Sequence, residues 1–147
     1  MSILLVGAQG QVGRELVKTL TPLAPVTAVG RQQLDLTDLE AIAHQVAAAH
    51  PKLIVNAAAY TAVDKAESEP ELAYRINAEA PQALAQSAAK CGAALIHIST
   101  DYVFAGQSGS PRCETDPTGP LSVYGKTKLA GEAAIRAALD QIGRAHV

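Results

Sequence analysis

Short apolar runs alternate with longer helical patterns along this chain, and that alternation restricts the fold more than any other feature. The runs are rich in β-branched residues, have the usual length of strands, and cover residues 3–6, 26–29, 53–55 and 94–98. Strand–helix–strand units at this spacing form right-handed crossovers over a parallel sheet. Because the runs are mainly apolar, helices should cover both faces of that sheet. We therefore predict an α/β fold with a doubly wound parallel sheet and helices on both faces.

The stretches between the runs have helical periodicity and recognisable ends. Their approximate limits are 12–20, 39–47, 69–90 and 122–139. Thr37 or Asp38 is the expected N-cap of the second helix, and Ser122 is a candidate N-cap of the fourth. We expect Pro81 to kink or divide the third helix, which ends at Gly92. Residues 99–121 lack periodicity, and a loop of that length inside an α/β domain usually has a function.

A glycine-rich turn, Gly7-Ala8-Gln9-Gly10-Gln11-Val12-Gly13, follows the first run and opens the first helix. Gly7 permits a tight turn, Gly10 lets the backbone approach a diphosphate, and Gly13 lets the helix pack closely on the sheet. The free N–H groups and the dipole of the helix N-terminus would then bind the diphosphate. The spacing is a variant of the dinucleotide fingerprint, and the plain alternative is a structural turn. We predict a Rossmann-type dinucleotide-binding domain.

The end of the second run bears on which dinucleotide binds. A carboxylate there would bind the adenosine ribose hydroxyls, whereas an arginine would accept a 2′-phosphate. Here the run ends at Gly30-Arg31, and Asp35 is the nearest acid. We predict a preference for NADP(H), with NADH left open; the plain alternative is that Arg31 is a solvated surface residue.

A tyrosine and a lysine, Tyr124 and Lys128, lie four residues apart in the last helical pattern, on one face of a helix. A neighbouring ammonium lowers the pKa of a phenol, which makes the phenol a better acid–base catalyst at neutral pH. The same lysine can hydrogen-bond the nicotinamide ribose, and we therefore include Tyr124 and Lys128 in the predicted cofactor site as well. Thr100 and Asp101 follow the fourth run, at the edge where ligands bind in open α/β folds. We predict Tyr124, Lys128 and Thr100 as catalytic residues, and Thr100 and Asp101 as substrate contacts. The plain alternatives are that the hydroxyl of Thr100 caps the strand end and that Asp101 braces the loop.

Composition excludes several other classes of function. Twelve basic against 14 acidic residues give a net charge of −2, which argues against nucleic-acid and membrane-surface partners. Aromatic residues make up only 3% of the chain, too few for stacking platforms that bind RNA bases. Cys91 and Cys113 form no CxxC motif, and no cluster of ligands has metal-binding spacing, so we predict no metal site within the chain. No signal peptide or membrane span is recognisable, and we expect a cytoplasmic protein.

Three further stretches carry a resemblance to a known family. They are VNAAAYTAVDKAE at 55–67, STDYVF at 99–104 and YGKTKLAGE at 124–132. Together with the glycine turn, they resemble the dTDP-4-dehydrorhamnose reductase family of the extended short-chain dehydrogenase/reductase superfamily. The resemblance covers residues 1 to about 139. It implies NADPH-dependent reduction of the 4-keto group of dTDP-4-dehydro-6-deoxy-L-mannose to dTDP-L-rhamnose.

The resemblance also implies roles for individual residues. Tyr124 would supply the proton, Lys128 would lower the pKa of the phenol, and Thr100 would polarise the carbonyl. Gly10, Gln11 and Val12 would meet the pyrophosphate, Asp35 and Leu36 the adenine, and Ala59, Tyr60 and Thr61 the nicotinamide side. Members of the family form dimers that can hold Mg²⁺ through a carboxylate of the first helix, a position that Glu15 matches here. The other expected ligands lie outside this chain.

The resemblance further implies strands and a substrate-binding region beyond those recognised here. We expect residues 1–141 to be an incomplete NADP(H)-binding Rossmann domain and residues 142–147 to be a non-native tail, because the helical pattern and the resemblance end together. The last recognised strand, 94–98, would then be an uncovered sheet edge, and a chain of this length would have little or no turnover. Two alternatives remain: a non-catalytic dinucleotide-binding subunit resembling the regulatory subunit of methionine adenosyltransferase, and a related nucleotide-sugar epimerase.

Overall fold

A parallel sheet of five strands forms the centre of the molecule. The computed structural model describes residues 1–107 and 109–139, together with the backbone of 142–146. The strands are β1 (Ile3–Val6), β2 (Val26–Val29), β3 (Leu53–Asn56), β4 (Ala94–Ser99) and β5 (Ile142–His146). Their order is β2-β1-β3-β4-β5, and every neighbouring pair is parallel. The four predicted strands are confirmed, and two of them are one residue longer than predicted.

Helices connect the strands as crossovers. They are α1 (Gln11–Leu20), α2 (Leu39–Ala49), α3 (Val63–Ala66), α4 (Pro70–Tyr74), α5 (Ala80–Cys91) and α6 (Val123–Ala138). The side chain of Asp38 caps α2 by accepting the N–H of Ala41, and Ser122 caps α6 by accepting the N–H of Gly125. Gly92 ends α5 in the left-handed conformation. The cap and stop signals therefore act at the predicted ends.

The two faces of the sheet have separate apolar cores. Along β1, Leu4 points to one face and Leu5 to the other, because side chains alternate along a strand. The first face is covered by α2, α5 and α6, which contribute buried residues such as Ile42, Leu84 and Ile135. On the second face, α1 packs its Leu16, Val17 and Leu20 over β1 and β3. The prediction of a doubly wound sheet with helices on both faces is confirmed.

The third predicted helix is divided into three parts. Between α4 and α5, residues Arg75–Glu79 form a single π-helical turn, and Pro81 lies in the first turn of α5. Because proline has no N–H, Pro81 cannot donate to the carbonyl groups of the preceding turn, and the helical hydrogen-bond ladder is interrupted at this point. The short helix α3, within the motif at 55–67, was not predicted.

The strand β5 is a departure from the sequence-based prediction. Its backbone pairs in parallel with β4, from Leu95 opposite Ile142 to Ser99 opposite His146. The expectation that β4 is the sheet edge is therefore wrong, because β5 lies beyond it. The expected non-native origin of 142–147 stays a prediction. Among the described residues, no helix has the length and apolar character needed to cross a membrane.

Candidate functional site

The glycine turn between β1 and α1 is held by backbone geometry that excludes side chains. Gly7 has φ +86°, and its N–H donates to the carbonyl of Val29 at 3.0 Å. A Cβ at Gly7 would lie 2.7 Å from the backbone nitrogen of Ala58. A Cβ at Gly13 would lie only 2.0 Å from the carbonyl oxygen of Gly7. Both positions therefore need glycine for the path of the backbone itself.

Gly10 is different, because the protein alone leaves room for a side chain there. A Cβ at Gly10 would meet the carbonyl oxygen of Gly7 at 3.4 Å, an almost ordinary contact. Gly10 is the N-cap of α1, and its position has no side-chain hydrogen bond to the first turn. The N-terminal N–H groups of α1 thus lack a side-chain cap, which is the arrangement that accepts a phosphate.

This turn forms one wall of a cavity of about 760 Å³ at the carboxyl ends of β1 and β3. The predicted cofactor residues that line it are Gly7, Gly10, Gln11, Val12, Arg31, Asp35, Leu36, Ala59, Tyr60 and Thr61. Val12, the first residue of the predicted helical stretch 12–20, is 41% exposed and lies on this wall. The structure thus brings almost all of the predicted cofactor residues to one place. Gly13, Tyr124 and Lys128 do not line it.

Other residues on the cavity wall lie outside the predicted set of cofactor residues. They are Val6, Gln9, Gly30, Leu34, Ala57, Ala58, Ala62, Lys65 and Ile76. Most of them are neighbours of predicted residues, so the strand-end rule could have included them. Ile76 lies in the π-helical turn, which has no sequence signal of its own. Lys65 places a cation at this wall and forms an ion pair with Glu69 at 3.1 Å.

The part of the cavity wall formed by the loop after β2 contains one cation, Arg31, and one acid, Asp35, that is held by its own loop. The carboxylate of Asp35 accepts the backbone N–H of Thr37 at 2.9 Å and its hydroxyl at 2.8 Å. These hydrogen bonds, with a smaller contribution from Arg31, lower the pKa of Asp35. The Arg31 side chain is exposed at the same wall. Asp35 is therefore engaged within its own loop, and no hydrogen bond of Arg31 is found among the described residues.

The predicted acid–base residues lie at the carboxyl end of β4. Tyr124 is buried on α6, and its ring packs edge-on against Tyr102 with 5.5 Å between the centroids. Burial raises the pKa of Tyr124, and the nearby hydroxyl of Thr100 partly opposes that rise. The prediction that Lys128 lowers the pKa of this phenol is wrong for this geometry, because burial dominates and Lys128 is not among the groups that act on it.

Lys128 points into the protein toward β4. Its Nζ donates to the carbonyl oxygen of Ile98 at 2.7 Å and lies 3.4 Å from Nε2 of His97. The residue is 1% exposed, and burial lowers the pKa of Lys128 to about 8. Sequence spacing placed Tyr124 and Lys128 on one helix face correctly, but it could not show where the long side chain ends.

The remaining tyrosines differ from Tyr124 in surroundings. The hydroxyl of Tyr60 donates to Glu69 at 2.6 Å, and this bond raises the pKa of Tyr60. Tyr74 and Tyr102 are both about half exposed. Tyr124 is therefore the tyrosine whose phenol is buried beside a second hydroxyl, that of Thr100.

Asn77, which was missed from the sequence, joins the cavity wall at Tyr60 to α6 at Thr127. Its Oδ1 accepts the N–H of Tyr60 at 2.8 Å, and its Nδ2 donates to the carbonyl of Tyr60 and the hydroxyl of Thr127, both at 3.1 Å. Thr127 in turn donates to the carbonyl of Tyr124 at 2.9 Å. An Asn within an alanine-rich helical stretch was the available signal, because Asn is a poor helix former.

Among the described residues, no cluster of three or more His, Cys and carboxylate side chains is placed to hold a metal ion. Glu15 is exposed and pairs with Lys18 at 2.7 Å. Cys91 and Cys113 are both free thiols.

Comparison with known proteins shows similarity to one family over most of this chain. The sequence profile described as "RmlD substrate binding domain" matches residues 1–143. A dTDP-4-dehydrorhamnose reductase of Streptomyces griseus is 51% identical over 141 residues, which cover 95% of this chain and 46% of that protein. The chain thus spans about half the length of the curated relatives that it matches.

Solved structures agree with this relationship. A dTDP-4-dehydrorhamnose reductase of Clostridium acetobutylicum superimposes with a TM-score of 0.96 at 42% identity, covering 99% of this chain and 52% of that one. The enzyme of the same name from Bacillus anthracis, solved in complex with NADP, gives 0.95 at 34% identity over the same shares of the two chains. The chain belongs to the RmlD substrate binding domain family.

Proposed function

We propose that this chain supplies the cofactor-binding and acid–base residues of an NADPH-dependent reductase that converts dTDP-4-dehydro-6-deoxy-L-mannose to dTDP-L-rhamnose. The observation that carries the proposal is the junction of two groups of residues. The loop that lines the cavity is hydrogen-bonded through Asn77 to the helix that bears Tyr124. The names of the relatives, and the NADP bound to one of them, support the same activity.

The residues present fit a dinucleotide. The cavity of about 760 Å³ lies within the range of small-molecule sites. The uncapped N-terminus of α1 and the space at Gly10 suit a diphosphate, with Gln11 and Val12 beside it. Arg31 would meet a 2′-phosphate, Asp35 and Leu36 the adenine, and Ala59, Tyr60 and Thr61 the nicotinamide side. The bound cofactor would supply a hydride.

The acid–base chemistry belongs to residues of α6 and the end of β4. Tyr124 would give its proton to the carbonyl oxygen as hydride arrives at the carbonyl carbon, which leaves a neutral alcohol. The raised pKa of Tyr124 keeps the phenol protonated before that step. Thr100, which can hydrogen-bond the phenol, would also polarise the carbonyl, and Asp101 would hold a substrate hydroxyl. Lys128 would orient the cofactor by hydrogen-bonding the hydroxyls of the nicotinamide ribose.

Replacing Gly10 by alanine tests the diphosphate site. We expect Gly10→Ala to fold normally, because the added Cβ makes only a 3.4 Å contact, and to weaken NADPH binding by at least about tenfold, because a methyl group would separate the backbone from the phosphates. NADPH fluorescence titration measures the loss. Gly109→Ala is the matched control, since a Cβ there meets nothing within 4 Å. Unchanged NADPH affinity in Gly10→Ala would contradict the site.

Replacing Arg31 by alanine tests the choice of cofactor. We expect Arg31→Ala to lose roughly tenfold in NADPH affinity and little in NADH affinity, because a charged hydrogen bond to a phosphate contributes about 1.5–3 kcal/mol. Parallel titrations with the two cofactors give the ratio. Arg14→Ala removes an exposed arginine of α1 that does not line the cavity. This control variant should have an unchanged ratio of NADPH affinity to NADH affinity. An equal loss for both cofactors would contradict the preference.

A chimaera tests the reaction itself. Residues 1–139 of this chain replace the matching segment of the Streptomyces griseus reductase, and oxidation of NADPH is followed with dTDP-4-dehydro-6-deoxy-L-mannose. We expect oxidation that requires the sugar and yields dTDP-L-rhamnose. Binding of NADPH without turnover would instead favour the non-catalytic subunit, and an isomerised sugar without net NADPH oxidation would favour the epimerase.

Other expectations stay predictions. They are a homodimer, Mg²⁺ held through Glu15 at its interface, a cytoplasmic location, the absence of nucleic-acid and membrane partners, and low turnover of the 147-residue chain by itself. The division at residue 141 also stays a prediction, and the family match extends to residue 143.

A further inference from the structure

A line of buried polar side chains extends from the end of β3 through β4 to Lys128 on α6. Asn56 at the end of β3, His97 in β4 and Lys128 on α6 are each no more than 1% exposed. The Nδ2 atom of Asn56 lies 3.0 Å from Nδ1 of His97, and Nε2 of His97 lies 3.4 Å from Nζ of Lys128. In such surroundings, the placement of each proton matters, because a donor that faces a donor is costly.

The backbone determines which way the amide of Asn56 points. Its Oδ1 accepts the N–H of Ala58 at 3.1 Å, and that N–H cannot be satisfied by the NH₂ group. The NH₂ group must therefore face His97 and donate to Nδ1. An imidazole whose Nδ1 accepts a hydrogen bond, and which is neutral, carries its proton on Nε2.

The ring is neutral in this setting. Burial, followed by the charge of Lys128, lowers the pKa of His97 to about 3. The Nε2–H bond of His97 consequently faces Nζ of Lys128. An ammonium has three donors and no lone pair, whereas a neutral amine can accept this N–H and still donate to the carbonyl oxygen of Ile98.

We propose that His97, oriented by Asn56, is a positioning residue that presents its Nε2–H to Lys128 and favours the neutral amine of Lys128 over the ammonium. The inference deepens the proposed function, on which its relevance to catalysis rests. It replaces the view of Lys128 as a permanent cation with that of a group that changes charge near physiological pH.

The other charged groups around α6 do not provide the same effect. The buried carboxyl of Glu132, one turn further along α6, raises the pKa of Lys128 and so opposes His97. Arg75 and Glu79, in the turn packed against α6, pair with each other at 2.7 Å. Glu67 accepts the backbone N–H of Val123 at 2.8 Å. On β4, His97 is the titratable side chain that contacts Nζ of Lys128, and burial is the other influence that favours the neutral amine.

Nuclear magnetic resonance of the 147-residue chain tests both parts of the inference. The ¹⁵N shifts of His97 report its tautomer, and we expect a protonated Nε2 and an unprotonated Nδ1 across the neutral range. The Cε and Nζ shifts of Lys128 report its titration, which we expect near pH 8. A protonated Nδ1, or titration of Lys128 near its usual value of 10.5, would overturn the proposal.

A glutamine at position 97 separates this role from a purely structural one. The Gln side chain can offer an oxygen to the ammonium, so His97→Gln should move the titration of Lys128 upward toward 10.5. His44→Gln makes the same change on the exposed face of α2 and should leave the titration of Lys128 unchanged. An unchanged titration in folded His97→Gln would overturn the proposal; should that variant not fold, the tautomer in the unaltered chain decides. Neither readout depends on turnover, so failure of the proposed reaction would be seen separately in the chimaera.

Discussion

Substitution of Tyr124 by phenylalanine is expected to lower turnover of the chimaera by roughly 10²–10⁴-fold, the usual contribution of a positioned acid or base. The phenol is buried beside Thr100, so removing its hydroxyl deletes the proton donor and leaves the ring packing intact. The hydroxyl does not line the cavity, and NADPH affinity should therefore be retained. Steady-state kinetics together with NADPH titration separate the two effects.

Tyr102→Phe is the matched control for that experiment. Its ring packs directly on Tyr124, yet it is 49% exposed, and removal of its hydroxyl should change turnover little. If Tyr124→Phe keeps full turnover, or if Tyr102→Phe loses as much as Tyr124→Phe, the assignment of the acid is wrong.

Substitution of Gly13 by alanine is expected to have the largest effect on folding. The new Cβ would lie 2.0 Å from the carbonyl oxygen of Gly7, so α1 must move away from the turn. Overpacking of this kind costs about 1–3 kcal/mol, and the clash here is with backbone that cannot rotate aside. We expect a lower midpoint in urea unfolding of the 147-residue chain and loss of NADPH binding with it.

The contrast with Gly10→Ala makes the result specific. That variant should keep the unfolding midpoint and lose only NADPH affinity, because its Cβ has space in the protein alone. An unchanged midpoint in Gly13→Ala would show that the close approach of α1 to the turn is not required for stability.

Local signals explain why so much of the fold could be predicted. Apolar runs, helix caps and helix stops each affect only the few residues around them. The caps Asp38 and Ser122 and the stop at Gly92 all lie at the predicted helix ends. The strand β5 has no such signal, since its sequence IGRAH includes glycine and a charged residue and its pairing is supplied by β4. The π-helical turn likewise depends on tertiary packing: a Cβ at Gly131 of α6 would lie 2.1 Å from the carbonyl oxygen of Asn77.

The candidate site also has a part that the sequence predicts and a part that it does not. Residues at the ends of parallel strands could be predicted to gather at one edge, and most of the predicted cofactor residues do line one cavity there. The contact of Asn56 with His97, and that of His97 with Lys128, join positions 41 and 31 residues apart, which no local pattern reveals. The wrong expectation for the pKa of Tyr124 has a related cause, because helical spacing gives neighbours on a face but does not give depth of burial.

The bonds made by Asn77 have a mechanical consequence. The side-chain amide of Asn77 hydrogen-bonds both polar backbone atoms of Tyr60 and the hydroxyl of Thr127. Displacement of the loop that contains Tyr60 must therefore either break these hydrogen bonds or move α6 as well. Fluctuations of the loop and of α6 should therefore be correlated in amplitude and in time.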